Sequence, residues 1–179
     1  MLVVAATERE LALVRGVDTF CCGIGPVEAA LQTARALQER QPDAVVHVGI
    51  AGARGIEPPS VVIGSEAVYC DVIDASSALP RVERVEPDAA LLARVRAALP
   101  DSPVLPIATC GRVGGGSDCE VEAMEGFGVL RACALAGVPA VELRAISNDP
   151  DESDRARWRL DDAFAALADA VERLARALG

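Results

Sequence analysis

The chain has 179 residues, 51% of them hydrophobic, and we interpret residues 1–179 as one globular domain. Its formal net charge of −10 repels phosphate groups, so neither nucleic acid nor a membrane surface is expected as a partner. All basic residues are arginines, which excludes a P-loop lysine and Schiff-base chemistry. The start of the chain lacks the pattern of a signal peptide, and no apolar stretch is long enough to span a bilayer, so we expect a cytoplasmic protein.

Strand and helix patterns alternate along the chain. Strands are predicted at residues 2–6, 19–23, 44–49, 104–108 and 140–146, and one or two more at 61–72. Helices are predicted at residues 8–15, 26–40, 87–99, 126–136 and 160–178. This alternation predicts an α/β fold, a three-layer α/β/α domain whose central sheet is mixed and mainly parallel.

The last helix carries an apolar stripe. Its members recur at spacings of four and three, and they are Leu160, Phe164, Leu167, Val171, Leu174 and Leu178. One apolar face predicts a helix that packs on the sheet rather than one that performs chemistry. We interpret Trp158, just before the stripe, as an anchor of this helix on the sheet rather than as a stacking surface for a ligand.

The lone histidine and the six cysteines do not form a recognisable metal or catalytic motif. His47 stands between Val46 and Val48, which predicts a histidine packed within a strand. The cysteines contain no CxxC pair and are interpreted as reduced core residues, so no metal site is expected. A cysteine nucleophile stays open, although no base for it is evident.

Polar or glycine-rich segments follow several predicted strands. In chain order their principal residues are Glu10, Gly25, Ala51 with Gly52, Met124 with Glu125, and Ser147 with Asn148. The carboxyl ends of parallel strands meet at one edge of a sheet, so we expect these residues to converge there. Singly, each has a simpler explanation: Glu125 complements a helix dipole, and Asn148 with Asp149 begins a turn into Pro150.

The glycine turn GIGPVE is not a dinucleotide fingerprint. Glu28 occupies the position of its third glycine, and no acidic residue ends the next strand to bind a ribose. No dinucleotide cofactor is therefore expected. The turn still leaves free backbone donors at the start of a helix.

The segments ATEREL, GIGPVEAA, VGIAGA, VEAMEG and RAISND resemble, in order and spacing, those of the nucleoside phosphorylase and nucleosidase superfamily. The resemblance covers nearly the whole chain. It implies a purine nucleoside phosphorylase-like fold, a small-molecule purine nucleoside substrate, no cofactor, and a homodimer or larger homo-oligomer. It also implies a catalytic role for Glu10 and Asn148, and substrate binding by Gly25, Ala51, Gly52, Met124, Glu125 and Ser147.

Within the superfamily the chain is most similar to the futalosine hydrolases, nucleosidases of menaquinone biosynthesis that release hypoxanthine. Methylthioadenosine and adenosylhomocysteine nucleosidases carry aspartate where this chain has Asn148, and glutamate where it has Ala123. A carboxamide at Asn148 can donate to the carbonyl of a 6-oxopurine and accept from its ring nitrogen. Relative to the family, the chain is expected to be shortened around residues 76–87 and 111–118.

Three other functions stay open, of which the first is a purine nucleosidase of the methylthioadenosine/adenosylhomocysteine type. Phosphorolysis requires a cationic phosphate clamp, for which Arg54 is the candidate. A protein that binds purine without turnover is the third alternative, although it has little use for both Glu10 and Glu125. For the benzoate of futalosine, the candidate ligands are Arg9, Arg112, Arg155 and Arg157.

Overall fold

The fold is described from a computed structural model for residues 1–72, 80–114 and 116–178. The strands are β1 (Leu2–Ala5), β2 (Asp18–Cys21), β3 (Val45–Ala53), β4 (Val61–Tyr69), β5 (Arg84–Val85), β6 (Val104–Thr109), β7 (Val121–Ala123) and β8 (Ala140–Asn148). The α-helices are α1 (Glu8–Leu11), α2 (Pro26–Arg40), α3 (Ala89–Ala98), α4 (Gly126–Ala136) and α5 (Leu160–Leu178), and a single turn of 3₁₀ helix spans Arg155–Arg157.

The strands form one mixed sheet with the order β2-β1-β3-β7-β6-β4-β5. Strand β8 lies outside this path because it pairs parallel with β3 and antiparallel with β4. Strands β3, β8, β4, β6 and β7 therefore close into a ring. Most of the pairs are parallel, which confirms the predicted mixed, mainly parallel sheet.

Helices cover both faces of the sheet, as the alternating pattern predicted. Helices α1, α3 and α5 contribute to one buried cluster, in which Leu91 and Leu167 pack with strand residues such as Leu143. Helices α2 and α4 contribute to a second cluster, which includes Leu37 and Val129. The three-layer α/β/α prediction is therefore confirmed.

Two strands extend further than their sequence patterns indicated. Strand β3 continues to Ala53 and β8 continues to Asn148, so Ala51, Gly52, Ser147 and Asn148 are strand residues rather than loop residues. The register of this pair brings Gly52 beside Asn148, across a shift between Ala51 and Gly52. The rigid sheet itself, and not a mobile connection, thus positions these residues.

One helix end and two short strands also differ from the prediction. The first helix ends at Leu11 instead of residue 15, and the short strands β5 and β7 were not predicted. The predicted shortenings at 76–87 and 111–118 fall partly on residues 73–79 and 115, outside the described residues. In the part of the chain that is described, no helix has the length and apolar character needed to cross a membrane.

Candidate active site

A cavity of about 460 Å³ opens at the carboxyl ends of β1, β3 and β8. Its size is within the range of small-molecule sites. The predicted residues that line it are Glu10, Ala51, Gly52, Met124, Glu125, Ser147 and Asn148. Gly25 does not itself line the cavity. Instead its backbone N–H donates to Glu125 Oε1 over 3.1 Å.

Glu10 is held by a capping box at the start of α1. Its Oε2 accepts from the backbone N–H and from the hydroxyl of Thr7, both over 2.9 Å, and its Oε1 accepts from the Ile50 N–H over 3.0 Å. A capping box alone would account for a glutamate at this position. The bond from Ile50 is an additional one, and it ties the carboxylate to β3 at the cavity wall. Since a carboxylate oxygen has two acceptor positions, Oε1 retains one for a ligand.

Glu125 lies at the start of α4 and is almost completely buried. Its Oε1 accepts from Gly25, and its Oε2 lies 3.4 Å from Arg144 Nη2. Burial raises the pKa of the Glu125 carboxyl, while the Arg144 cation and the Gly25 N–H oppose that rise. Gly25 and Arg144 thus fix the orientation of the carboxylate.

Arg144, which the sequence analysis did not single out, lies beneath both carboxylates. Its side chain is 1% exposed, and its Nε donates to Glu142 Oε1 over 2.8 Å. A Cβ on Gly49 would collide with Arg144 Nη1 and would lie 2.7 Å from Glu10 Oε1, so the guanidinium and Glu10 meet at this glycine. A charged residue inside the apolar run VELRAI was the available signal, since a buried arginine requires partners.

Ser147 and Asn148 form the part of the cavity wall at the carboxyl end of β8. The Ser147 hydroxyl donates to Asn148 Oδ1 over 2.6 Å, and Asn148 Nδ2 donates to the Asp149 carbonyl over 2.9 Å. One amide proton and one carbonyl lone pair of Asn148 stay available. Asp149 is exposed and its carboxylate accepts from the Asp151 N–H. The turn that the sequence pattern indicated therefore follows Asn148, while Asn148 itself lines the cavity.

The outer wall of the cavity combines aromatic rings with arginines. The Arg9 guanidinium lies 5.0 Å from the Phe164 ring centre, and the Arg155 guanidinium lies 5.4 Å from that of Trp158. These four side chains and Arg112 all line the cavity. Trp158, interpreted from the sequence as an anchor of the last helix, is half-buried and also lines the cavity.

Arg157, the remaining arginine candidate, does not line the cavity. Its side chain is 73% exposed and forms ion pairs with Glu152 and Asp154. The 3₁₀ turn that contains both arginines directs Arg155 toward the cavity and Arg157 away from it.

The comparisons with known proteins agree with this geometry. Residues 14–178 match the model of a family described as the phosphorylase superfamily. The chain belongs to the phosphorylase superfamily. It is 36% identical over 191 residues to a futalosine hydrolase of Streptomyces coelicolor, across 91% of this chain and 80% of that protein. The match to the family model begins after Glu10, whose position is shown by its contacts.

Solved members of the superfamily share the fold. The native futalosine hydrolase of Helicobacter pylori superposes with a TM-score of 0.88 at 16% identity, covering 98% of this chain and 96% of that one. A 5'-methylthioadenosine/S-adenosylhomocysteine nucleosidase of Neisseria meningitidis, in complex with methylthio-immucillin-A, superposes with a TM-score of 0.85 at 24% identity, covering 98% and 97%. Within the phosphorylase superfamily the chain is thus a nucleoside N-glycosyl hydrolase.

Arg54 does not line the cavity of this superfamily member. Its Nη1 donates to Glu122 Oε1 over 3.1 Å and to the Cys119 carbonyl over 3.0 Å, and its Nε lies 3.8 Å from Asp151. Glu122 also accepts from Ser117 and from the backbone of the preceding loop. Arg54 therefore ties that loop to the sheet, and its interpretation as a phosphate clamp is not supported.

The three buried thiols are poor nucleophiles. Cys22 is buried, and that burial together with the Glu125 charge raises its thiol pKa to about 12. Burial likewise raises the pKa of Cys110 and of Cys133 to about 12. A thiol with such a pKa supplies almost no thiolate at neutral pH, so the geometry does not favour the cysteine nucleophile that the sequence left open.

Proposed function

We propose that the protein hydrolyses the N-ribosidic bond of futalosine, releasing hypoxanthine and dehypoxanthine futalosine, a step of menaquinone biosynthesis. The observation that carries this proposal is one cavity that Glu10, Glu125 and Asn148 line together. The 36% identity to a futalosine hydrolase supports the same substrate.

Hydrolysis of an N-ribosidic bond needs opposite charges to be stabilised at its two ends. In the transition state the sugar gains positive charge and the departing base gains negative charge. The buried Glu125 carboxylate, with Met124 beside it, is proposed to bind the ribose hydroxyls and to favour the cationic sugar. Because Gly25 and Arg144 already fix its two oxygens, little reorganisation is needed when the charge develops.

The proposed nucleophile is a water held by Glu10. The free acceptor position on Oε1 can take one proton of that water while its oxygen bonds to the anomeric carbon. As this bond forms, the bond from the anomeric carbon to the purine nitrogen breaks, and the base leaves with the electron pair. The base then takes up a proton at a ring nitrogen, and Glu10 returns its own proton to solvent.

Asn148 supports a 6-oxopurine as the leaving group. Its free amide proton can donate to the base carbonyl, and its free lone pair can accept from the protonated ring nitrogen. The Ser147 hydroxyl stabilises this orientation because it donates to the Asn148 carbonyl oxygen. A 6-aminopurine would present a donor where Asn148 also presents a donor, which disfavours adenine nucleosides.

The outer wall supports a substrate with an aromatic carboxylate at the far end of its side chain. Trp158 and Phe164 offer apolar ring faces, and Arg9, Arg112 and Arg155 offer cationic groups along the same wall. An arginine binds a carboxylate through two parallel hydrogen bonds. Futalosine carries such a group, its benzoate, whereas inosine does not.

Chromatography of the reaction products, with and without inorganic phosphate, tests the proposal. We expect hypoxanthine to be released from futalosine without phosphate, metal or cofactor. Strict dependence on phosphate, with a ribose 1-phosphate product, would instead establish a phosphorylase, although the bonding of Arg54 to Glu122 argues against one. Release of adenine from methylthioadenosine at a higher efficiency would establish the other nucleosidase type. Tight purine binding without any product would establish a binding protein.

We also propose that the chain forms a homodimer or larger homo-oligomer. Ile24, Val27 and Leu31 are 63%, 67% and 64% exposed, and they form one apolar strip from the cavity mouth along the first turns of α2. A second copy packed on this strip would bury it beside the substrate. Sedimentation of the protein and of Val27→Glu would test this, and a monomeric parent protein would contradict it.

Two further predictions accompany the proposal. The cytoplasmic location is tested by fractionation of the source cells. The single domain over residues 1–179 is tested by limited proteolysis, which we expect to yield no stable fragment.

A further inference from the structure

We propose that Glu142 and His47 are positioning residues for hydrolysis, which act by fixing the Arg144 guanidinium between Glu10 and Glu125. This inference rests on the proposed nucleosidase function. Neither Glu142 nor His47 lines the cavity, and both side chains are fully buried. Neither residue can therefore contact the substrate, and both bind Arg144 instead.

Each of the three guanidinium nitrogens of Arg144 lies close to an acceptor. Its Nε donates to Glu142 Oε1 over 2.8 Å, and its Nη2 lies 2.6 Å from His47 Nε2 and 3.4 Å from Glu125 Oε2. Its Nη1 lies 3.5 Å from the carbonyl of Ile50, the same residue whose N–H binds Glu10. Since a guanidinium is planar, its bonds to Glu142 and His47 determine where the remaining N–H groups point.

The contact with Arg144 fixes the protonation of His47. A guanidinium has donors only, so His47 Nε2 must accept, and the proton of the neutral ring lies on Nδ1. That proton reaches the Val4 carbonyl, 3.0 Å away on β1. Burial, with the Arg144 cation next, lowers the His47 pKa well below its usual range, which agrees with a neutral ring. His47 is thus a fixed acceptor for Arg144 rather than a proton shuttle.

Burial of the Glu142 carboxylate is energetically unfavourable unless its charge serves a function. It lies on β8 two positions from Arg144, so both side chains project to the same side of the strand. Its Oε2 accepts no hydrogen bond within the described part of the chain. A Cβ on Gly126 would collide with this carboxylate, so the start of α4 packs directly against it. A buried carboxylate oxygen without a donor is costly, and such groups need an explanation.

The charges around Arg144 provide that explanation. Three carboxylates face this one cation: Glu142 from its own strand, Glu10 from α1 and Glu125 from the start of α4. The remaining titratable neighbours, His47 and the Cys22 thiol, are neutral at ordinary pH. Glu142 therefore takes a share of the Arg144 charge, and less of that charge is left to neutralise the two carboxylates at the cavity. Those carboxylates consequently keep more negative charge to oppose the cationic sugar.

The test is Glu142→Gln, which keeps the shape and an acceptor for Arg144 Nε but removes the charge. We expect turnover to fall by roughly 10- to 100-fold with little change in KM, since substrate contacts stay in place. The acid limb of the pH–rate profile should move to lower pH by about one unit. Its direction follows because Glu125 loses a like charge and gains a larger share of the Arg144 charge.

Glu66→Gln is the matched control. Glu66 also pairs with an arginine, Arg84, but on the far edge of the sheet, at the β4–β5 pair. We expect this variant to keep the parent turnover and the parent pH profile. Equal turnover and an unmoved acid limb in a folded Glu142→Gln would overturn the inference.

His47 gives a second test, which stands even where Glu142→Gln fails to fold. His47→Gln retains a carbonyl acceptor for Arg144, whereas His47→Leu leaves that N–H unpaired. We expect the glutamine variant to retain most of the turnover and the leucine variant to lose it. Equal turnover of the two folded variants would overturn the role of His47.

The parent protein separates this inference from the proposed function. A parent protein that releases no base from any nucleoside contradicts the proposed function itself. A parent that hydrolyses a nucleoside other than futalosine contradicts only the proposed substrate, and the same pH profiles are then measured on that nucleoside.

Discussion

The two ends of the cavity are built in different ways. At the inner end Glu10, Glu125 and Arg144 are buried and held by short hydrogen bonds to backbone and side chains. At the outer end Arg9 and Arg155 are exposed and lie on aromatic rings. Electrostatic interactions are stronger where water is excluded, and a fixed group needs no rearrangement during the reaction.

We therefore expect the inner end of the cavity to act in the reaction and the outer end to act in substrate recognition. Changes at the inner end should alter turnover, because those groups act where charge develops. Changes at the outer end should alter the Michaelis constant for one class of substrate, because those groups contact only the far end of its side chain.

The largest effect is expected for Glu10→Gln. Glutamine can replace glutamate in a capping box, so α1 should still begin at its normal position. The variant cannot accept the proton of the attacking water, and we expect turnover to fall by ~10²–10⁴. Steady-state rates on futalosine are the measurement, and circular dichroism checks the fold. Glu8→Gln, an exposed residue of the same helix, is the control and should behave as the parent.

Glu125→Gln should reduce both turnover and substrate binding. The amide oxygen can still accept from Gly25, but the charge that opposes the cationic sugar is lost. We expect a fall in kcat/KM of ~10²–10³, comparable to removal of one group that stabilises transition-state charge. Near-normal kinetics of both this variant and Glu10→Gln would mean that the catalytic centre lies elsewhere.

The contrast between the two ends also shows which features the sequence could predict. Glu10, Glu125 and Asn148 follow strands or precede helices that the apolar pattern identified, so their convergence was predictable from the sheet edge alone. Arg144 was missed because β8 was treated as apolar, although Glu142 and Arg144 stand on one side of it. The bond from Ile50 to Glu10 joins residues that are 40 positions apart, and no local pattern encodes it.

Other differences have local causes. Strand β7 has 3 residues, which is too short for a period-two pattern to be recognised. Trp158 was assigned to the sheet because it precedes an amphipathic helix, but its position depends on the 3₁₀ turn before it. That turn is stabilised by Asp154, whose carboxylate accepts from the Ala156 N–H, and the Trp158 ring N–H donates to the Glu152 carbonyl.

Asn148→Asp tests the contact of the cavity wall with the purine base. Its expected effect is smaller than those of the two glutamate variants. The substitution removes the donor to a 6-oxo group and sets an acceptor against an acceptor, which costs ~1–3 kcal/mol. The ratio of kcat/KM for hypoxanthine nucleosides to that for adenine nucleosides should therefore fall by roughly 5- to 150-fold. Both substrates are measured with both proteins.

Asp149→Asn is the control for this substitution. Asp149 is the exposed neighbour outside the cavity, so its variant should keep the parent ratio. A uniform loss on both substrates in Asn148→Asp would show general damage, and an unchanged ratio would show that Asn148 does not contact the base.

The smallest effect is expected for Arg155→Ala at the outer end. Arg155 lies over Trp158 at the cavity wall, whereas Arg157, two residues away on the same turn, pairs with Glu152 outside it. An exposed arginine that binds a carboxylate contributes ~1 kcal/mol, so the Michaelis constant for futalosine should rise by roughly fivefold. The constant for inosine, which lacks the carboxylate, should not change, and neither constant should change in Arg157→Ala. Because the inner end is untouched, kcat should stay at the parent value in both variants. Equal behaviour of Arg155→Ala and Arg157→Ala toward both substrates would move the carboxylate site to Arg9 or Arg112, whose alanine variants are then compared in the same assay.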